Sequence, residues 1–303
     1  MKNLAPIALF VYNRLEQTQK TIEALKRNPL AKNSILYVFS DGQKSKEDLG
    51  VFKVREYIRK INGFKKVIVK ERLGNIGLAN SLISGISEVL EKNEKIIVLE
   101  DDIFTSKYFL EYMNSALEIY KEDKEVFGVA GYMYPIKNKL PETFFIDFSN
   151  CWGWGTWRRA WNHFEEDGRK LLNEIKKRKL KRKFDFNNSY PYFKMLKGQT
   201  KGKNNSWAIR WAASVFLNNG LFLYPKKSLV RNIGFDEGGT HCKGNNLFET
   251  ELYNHPIKVQ RIEKREDTFA RKEIENFFKS IKLKRIKGKI WRELNKIFKN
   301  GKR

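Results

Sequence analysis

The chain has 303 residues, 41% of them hydrophobic and 14% aromatic, so it can form a sizeable core, and wholesale disorder is excluded. Its 60 Lys and Arg residues outnumber its 35 Asp and Glu residues, and the formal net charge of +25 favours polyanionic partners: nucleic acid, anionic lipid or a phosphorylated substrate. The two cysteines, Cys151 and Cys242, are too few for a disulfide framework.

The N-terminal apolar run covers residues 4–12 and is interrupted by Pro6. This run is shorter than the ~20 residues that a membrane-spanning helix needs, and no small-residue cleavage pattern follows it. We therefore expect a cytoplasmic protein that reaches membranes only peripherally, at the inner face of the plasma membrane.

Apolar runs of strand length alternate with helical patterns through the first hundred residues. The runs are residues 7–12, 35–39, 67–69 and 96–99, and the helical patterns lie near residues 15–25, 51–61 and 78–90. Strands that are apolar on both faces and alternate with helices predict an α/β fold with a doubly wound, mainly parallel sheet and flanking helices. Such sheets bind ligands at the carboxyl ends of their strands, so the polar residues after each run are candidate site residues.

Beyond residue 102 the alternation continues and then fades. The further predicted elements are a helix through residues 109–117 with Ser106 as its cap, and short strands at residues 126–130 and 144–148. Residues 151–161 are rich in Trp and Gly, and residues 176–183 are almost all basic.

The C-terminal segment combines high charge with an apolar stripe. Residues 271–303 hold 13 Lys and Arg residues and three Glu residues. On a helical projection the stripe consists of Leu283, Ile286, Ile290, Leu294 and Ile297. A helix of this kind either lies in an anionic membrane interface or packs on the rest of the protein with its charges in solvent.

Three consecutive acidic residues, Glu100, Asp101 and Asp102, directly follow the apolar run at 96–99. Carboxylate oxygens are hard ligands suited to a Mg²⁺ or Mn²⁺ ion that bridges a diphosphate. The alternative interpretation is a solvated loop at the end of a strand.

The order of several motifs resembles the N-acetylglucosaminyltransferase I-like enzymes, a group of GT-A glycosyltransferases. The similar segments are IIVLEDD at 96–102 followed by FLEY at 109–112, FVYNR at 10–14, FSDG at 39–42, DFSNCWGW at 147–154 and GTH at 239–241. The resemblance covers about residues 5–255. It implies a GT-A-like catalytic domain at 1–255, which leaves 256–303 as a basic amphipathic tail.

The resemblance also implies roles for the residues at the strand ends. Arg14 and Asp41 are expected at the nucleotide base, Glu100 and Asp101 at the ribose, and Asp102 at the metal. Apart from the resemblance, Arg14 is equally compatible with a surface charge at a helix start, and Asp41 with a turn residue.

Two glycine-containing segments supply further candidates for donor binding. Asn75 lies in the segment 73–77, just before a predicted helix, where exposed N–H groups bind phosphate or simply form a turn. Trp152 and Trp154 lie in a segment that, by the resemblance, borders the donor sugar and the acceptor. A core-filling loop is the alternative for these indoles.

The catalytic base is the point at which the sequence departs from the family. An inverting transferase needs a carboxylate to accept the proton of the acceptor hydroxyl. Where the family has a Trp-Asp-Asp-Trp-like element, residues 204–211 read NNSWAIRW and contain no carboxylate. The nearest acidic candidates are Asp236 and Glu237, and the neighbouring His241 is either a ligand of the metal or a structural residue.

Together these features predict a metal-dependent glycosyltransferase that uses Mn²⁺ or Mg²⁺. It is expected to move a sugar from a nucleotide-sugar donor, a UDP-sugar, to the hydroxyl of a saccharide or lipid-linked saccharide acceptor. One alternative is a nucleotidyltransferase acting on a sugar phosphate, although residues 13–16 lack the Gly-rich loop that such an enzyme needs. The other is a nucleic-acid-binding protein, but without a metal an acidic strand end repels phosphates, so we expect no nucleic acid as partner. The basic C-terminal segment makes an anionic membrane surface an expected partner.

Overall fold

The computed structural model describes residues 3–45, 47–234 and 247–300, with side chains as far as residue 284 in the last helix. In the first hundred residues strands and helices alternate as the apolar runs predict. The elements are β1 (Ile7–Val11), α1 (Leu15–Lys26), a 3₁₀ turn (Ala31–Asn33), β2 (Ile35–Ser40), α2 (Leu49–Ile58), β3 (Lys66–Glu71), α3 (Leu78–Lys92) and β4 (Lys95–Glu100).

The second half of the described chain is less regular and contains more helix. Its elements are β5 (Ile103–Thr105), α4 (Phe109–Ile119), β6 (Val126–Ala130), β7 (Thr143–Ile146), β8 (Trp154–Trp157), α5 (Arg158–Trp161), α6 (Gly168–Lys177), α7 (Lys181–Phe184), α8 (Tyr192–Gln199), α9 (Trp207–Leu217), β9 (Leu221–Pro225), β10 (Val230–Asn232) and α10 (Thr268–Asn300). Ser106 does not cap α4 directly: the N-cap is Tyr108, whose N–H donates to Ser106 Oγ at 3.3 Å.

Eight strands form one sheet in the order β3-β2-β1-β4-β8-β6-β9-β7, and β5 pairs with β10 in a separate antiparallel ribbon. β1 is parallel to both β2 and β4, and only β8 and β7 run against the other six strands of the sheet. The mainly parallel α/β sheet with flanking helices is therefore confirmed. Because Val11 pairs with Ser40 and Phe10 with Glu100, the carboxyl ends of β1, β2 and β4 meet at one edge.

The continuous apolar runs are explained by burial on both faces of the sheet. Every residue of β1 and β6 is buried, as are the first five residues of β4. Strand β8 was not predicted, because its sequence, WGTW, is short and half of it is Gly or Thr. It fits between β4 and β6, where its residues are buried and Gly155 lies so close to the Ile96 carbonyl that a Cβ atom would be tightly packed.

The predicted boundary at residue 255 does not coincide with a boundary in the packing. Ala270, Ile274, Phe278 and Ile281 on the first half of α10 are buried in the same apolar core as the sheet. Their spacing of three or four residues places them on one helix face. The predicted stripe begins beyond this buried face, at Leu283, which is 58% exposed; the side chains of its other members lie outside the described ones. Among the described residues, no helix is both long and apolar enough to cross a membrane.

We expect Phe278→Ala to lower the free energy of unfolding by about 3–5 kcal/mol, because it removes a fully buried ring and leaves a cavity. Urea unfolding measures this loss. The matched control on the same helix is Leu283→Ala, expected to change stability by less than about 0.5 kcal/mol because this side chain is exposed. Equal losses for the two variants would contradict the packing of α10 on the core.

Candidate active site

The three consecutive carboxylates lie at the carboxyl end of β4. Glu100 is its last residue and pairs with Phe10 of β1, and Asp101 and Asp102 follow in a turn. All three are half-buried. The turn is fixed through its carbonyls: Thr21 Oγ1 donates to Asp101 O at 2.9 Å, and Ile233 N donates to Asp102 O at 2.8 Å. The carboxylates are therefore presented by backbone that is held from two sides.

The environment of this cluster disfavours its negative charges. Burial, together with the charges of Asp102 and Asp101, raises the pKa of Glu100 well above its usual range. Burial and Asp102 also raise the pKa of Asp101 to about 7, although Arg14 acts in the opposite direction. Carboxylates with pKa values raised in this way favour a cation beside them, and perturbed groups in a cleft mark candidate functional sites.

Arg14 connects three separate segments of the chain at this cluster. It is the N-cap residue of α1, its Nη1 lies 3.4 Å from Asp102 Oδ2, and its Nη2 donates to Gly234 O at 3.4 Å. A Cβ atom on Gly234 would collide with the Asp102 carboxylate, so the close approach requires glycine. Arg14 was expected at the nucleotide base, and its described contacts instead include the expected metal ligand.

Asp41, the other residue expected at the base, organises a loop. Its two carboxylate oxygens accept hydrogen bonds from the backbone N–H groups of Gly42, Ile76 and Gly77, at 2.9, 3.0 and 2.9 Å. Asn75 Nδ2 reinforces the contact by donating to Gly42 O at 2.8 Å. Asp41 is only 5% exposed. Asp41 and Asn75 together therefore hold the loop at 74–77 over the end of β2.

A second polar cluster at the end of β1 was not predicted. Tyr12 Oη donates to Asp48 Oδ2 at 2.6 Å, and Asn13 Nδ2 donates to Asp48 Oδ1 at 3.1 Å. Burial and the bond to Asp48 raise the pKa of Tyr12 to about 12. On α2, Arg55 Nη2 donates to the carbonyls of Asp41, at 3.2 Å, and Arg72, at 2.7 Å. Tyr12 ends the apolar run at 7–12 and Asn13 follows it, so the sequence marks both positions. No spacing in the sequence links them to Asp48 or α2.

The two indoles predicted at the donor have different environments. Trp152 is half-buried, and its ring meets Tyr132 edge-on at 4.6 Å. It lies next to Cys151, whose thiol pKa is raised by burial and by the charge of Glu100, so this segment borders the carboxylates. Trp154 is fully buried, with Trp207 stacked at 5.7 Å. Trp154 is thus a core residue, and its predicted contact with the donor is corrected.

The remaining predicted site residues, Asp236, Glu237 and His241, lie outside the described residues. Within the described ranges, no group of three or more His, Cys, Asp and Glu side chains is arranged to hold a metal ion by itself. The donor set nevertheless suits Mg²⁺ or Mn²⁺, since Mg²⁺ is usually held by one or two carboxylates together with substrate phosphates. Asp102 supplies such an oxygen donor at the carboxyl end of β4.

The sequence matches no protein-family model, and the comparison with curated proteins also gives no match. Similar solved structures include the mannosyltransferase PcManGT from Pyrobaculum calidifontis in complex with GDP-Man and Mn²⁺, with 10% identity, a TM-score of 0.36 and coverage of 57% of this chain and 47% of that one. TarS from S. aureus has 14% identity, a TM-score of 0.44 and coverage of 74% and 36%. A UDP-glucose pyrophosphorylase complexed with UDP-glucose has 12% identity, a TM-score of 0.37 and coverage of 75% and 93%.

This chain thus spans less than half the length of the PcManGT and TarS chains. At this level of similarity the solved structures carry no argument about activity, which depends on the site itself.

Replacing Asp41 by Ala should speed up amide hydrogen exchange at Ile76 and Gly77 by at least tenfold, because both N–H groups lose their acceptor. Exchange measured by NMR gives the two rates. The matched control is Asn80→Ala, which removes a side-chain bond to the Ile76 carbonyl of the same loop and leaves both N–H bonds in place. If the control raises the two rates equally, Asp41 does not hold the loop.

Proposed function

We propose that the chain is a nucleotide-sugar-dependent glycosyltransferase of the GT-A type. The observation that carries this proposal is the group of three carboxylates, Glu100, Asp101 and Asp102, at the carboxyl end of β4, beside the ends of β1 and β2. Burial and the neighbouring carboxylates raise the pKa values of Glu100 and Asp101, which favours a dication beside them, and a dication in turn attracts a diphosphate. A sugar bound through a diphosphate fits this combination of charges.

In this proposal Asp102 would hold Mn²⁺ or Mg²⁺ at the diphosphate of a UDP-sugar, and Glu100 and Asp101 face the ribose. Bound there, the metal would offset negative charge on the leaving nucleotide. Asp41 and Asn75 act by positioning the loop at 74–77 beside the base, and Trp152 borders the sugar. Arg14 helps to keep Asp102 in place through its ion pair.

The acceptor is a saccharide or lipid-linked saccharide hydroxyl, which attacks the anomeric carbon as it loses its proton. Asp236 is proposed as the base that accepts this proton, with Glu237 as the adjacent alternative and His241 as a further metal ligand. The supporting observation is that Gly234, two residues earlier in the chain, accepts a bond from Arg14 next to Asp102. Asp236 therefore follows in sequence, two residues after a backbone carbonyl that binds the same arginine as Asp102.

Asp102→Asn should abolish Mn²⁺-dependent UDP binding, because a neutral amide is a poorer ligand for a hard dication than a carboxylate. Asp101→Asn should weaken it less if Asp101 faces the ribose. Isothermal titration calorimetry with UDP, with and without Mn²⁺, measures the UDP affinity of both variants. Thermal shifts of the unmodified chain with UTP test the nucleotidyltransferase alternative, and thermal shifts with an oligonucleotide test the nucleic-acid alternative.

The control for these variants is Asp48→Asn, which keeps a polar side chain at the end of β1 but lies in the cluster with Tyr12 and Asn13. It should retain the Mn²⁺ dependence. Unchanged UDP affinity in Asp102→Asn would overturn the metal assignment, and stabilisation by UTP but not by UDP would favour a nucleotidyltransferase.

We further propose that the C-terminal segment attaches this cytoplasmic enzyme to the inner face of the plasma membrane. Residues 285–303 hold eight Lys and Arg residues and one Glu residue. Each basic residue close to an anionic surface contributes roughly 1 kcal/mol. The segment follows directly on the last described buried residue of α10, Ile281, and on the exposed residues 282–284.

Ending the chain at Lys284 should weaken binding to anionic vesicles at least tenfold while leaving turnover of a soluble acceptor and the melting temperature nearly unchanged. The expected loss follows from the removed charges, and it should be smaller at high salt, where the intact chain also binds weakly. Vesicle sedimentation and thermal unfolding are the measurements. Truncated protein that unfolds, or that binds vesicles as before, would show that the segment is structural or is not the anchor.

A further inference from the structure

Exposed apolar side chains are concentrated at one edge of the sheet. Eight large hydrophobic residues are exposed in the described part of the chain, and five of them fall in two short segments. These five are Leu49, Phe52, Leu73, Ile76 and Leu78, and we call them the rim patch. Leu73 is completely exposed, and Leu49 and Phe52 are more than half exposed. Exposed apolar side chains grouped in this way indicate an interaction surface.

The two segments are joined directly by hydrogen bonds and close backbone contacts. Arg55, one turn after Phe52 on α2, donates to the Arg72 carbonyl at 2.7 Å. Gly42, which precedes α2, lies against the backbone of Gly74, where no side chain would fit. Since the loop at 74–77 is also bonded to Asp41, the rim patch lies at the entrance of the proposed donor cleft.

An open groove of about 530 Å³ runs beside the patch, between the end of β3 and this loop. It is lined by Phe39, Val69, Lys70, Glu71, Arg72, Leu73, Gly74, Ile76 and Glu88. Its two carboxylates are paired with cations: Glu71 with Arg59 at 2.6 Å, and Glu88 with Lys70 at 2.9 Å. The groove therefore combines apolar side chains with charged ones, and each of its carboxylates is paired with a cation.

The sequence around the patch is strongly basic. Residues 44–78 hold ten Lys and Arg residues and four Asp and Glu residues. Apolar side chains surrounded by basic ones are typical of surfaces that enter the interface of an anionic bilayer. A second copy of this chain is disfavoured as the occupant because two surfaces of the same positive charge would repel each other.

We propose that the rim patch is a membrane-contact surface that binds anionic lipid bilayers. Leu73 and Phe52 enter the interface, while the surrounding Lys and Arg side chains contact lipid phosphates. This contact is separate from the C-terminal segment and would present the cleft entrance to the membrane. It extends the proposed function by placing the site where a lipid-linked saccharide acceptor would be reached.

The test compares two double variants of the full-length chain. Phe52→Ser/Leu73→Ser removes two apolar side chains of the patch without changing charge, and Met195→Ser/Phe269→Ser removes two similar exposed side chains elsewhere. Vesicles of phosphatidylcholine and phosphatidylglycerol are titrated without nucleotide. The patch variant should bind at least tenfold more weakly than the unmodified chain, and the control variant less than twofold more weakly.

Equal vesicle affinity of the two variants would overturn the proposal. So would a patch variant that loses UDP affinity but keeps vesicle affinity, because the loop would then contact the nucleotide instead. Analytical ultracentrifugation tests whether the patch binds a second copy of the chain. If the unmodified chain self-associates and the patch variant does not, while vesicle binding is unchanged, the patch is assigned to a second copy. Vesicle binding is measured without donor or turnover. If the patch variant binds vesicles normally, the membrane-contact proposal fails, and the proposed glycosyltransferase activity is still decided separately by the calorimetry with UDP.

Discussion

The candidate site depends on three carboxyl groups that lie together at the end of a buried strand. Partly buried carboxylates lose hydration, and here they also repel one another, so both effects raise the pKa values of Glu100 and Asp101. Arg14 and the fixed backbone of the turn offset part of this cost. The β5–β10 ribbon brings Gly234 against Asp102, where no larger residue would fit. The fold thus holds three carboxyl groups close together, and a bound cation would favour their charged forms.

The neighbouring strand end shows the opposite arrangement with the same kind of side chain. Asp41 is almost completely buried, yet three backbone N–H groups donate to it. Its charge is used to fix the loop at 74–77 in place. One strand end therefore fixes a loop, and the other groups three carboxyl side chains, of which Asp102 is paired with Arg14. A site that orders a ligand and also attracts a metal needs both a fixed loop and grouped carboxylates.

The apolar runs predicted the strands and helices of the first hundred residues because burial on both faces leaves a clear signal in the sequence. The roles of Asp41 and Trp154 could not be predicted in this way. Whether a carboxylate after a strand faces a ligand or a neighbouring loop depends on where residues 76 and 77 fold, and the burial of Trp154 depends on Trp207, more than fifty residues away. The position of the acidic cluster was predictable, whereas the partners of each side chain are set by tertiary packing.

The first half of α10 belongs to the site's support as well as to the core. Arg271 is buried, with Nη1 at 2.5 Å from Asp147 and 2.9 Å from Glu266. Burial alone would raise the pKa of Asp147, but Arg271 and Lys183 lower it, so this carboxylate stays charged and bonded. Asp147 begins the segment that leads from β7 through Cys151 and Trp152 to β8, beside Glu100. A helix that follows the predicted catalytic domain in sequence is therefore tied through Arg271 to the start of the segment that carries Trp152. Removing one partner of such a buried charge network leaves the others uncompensated.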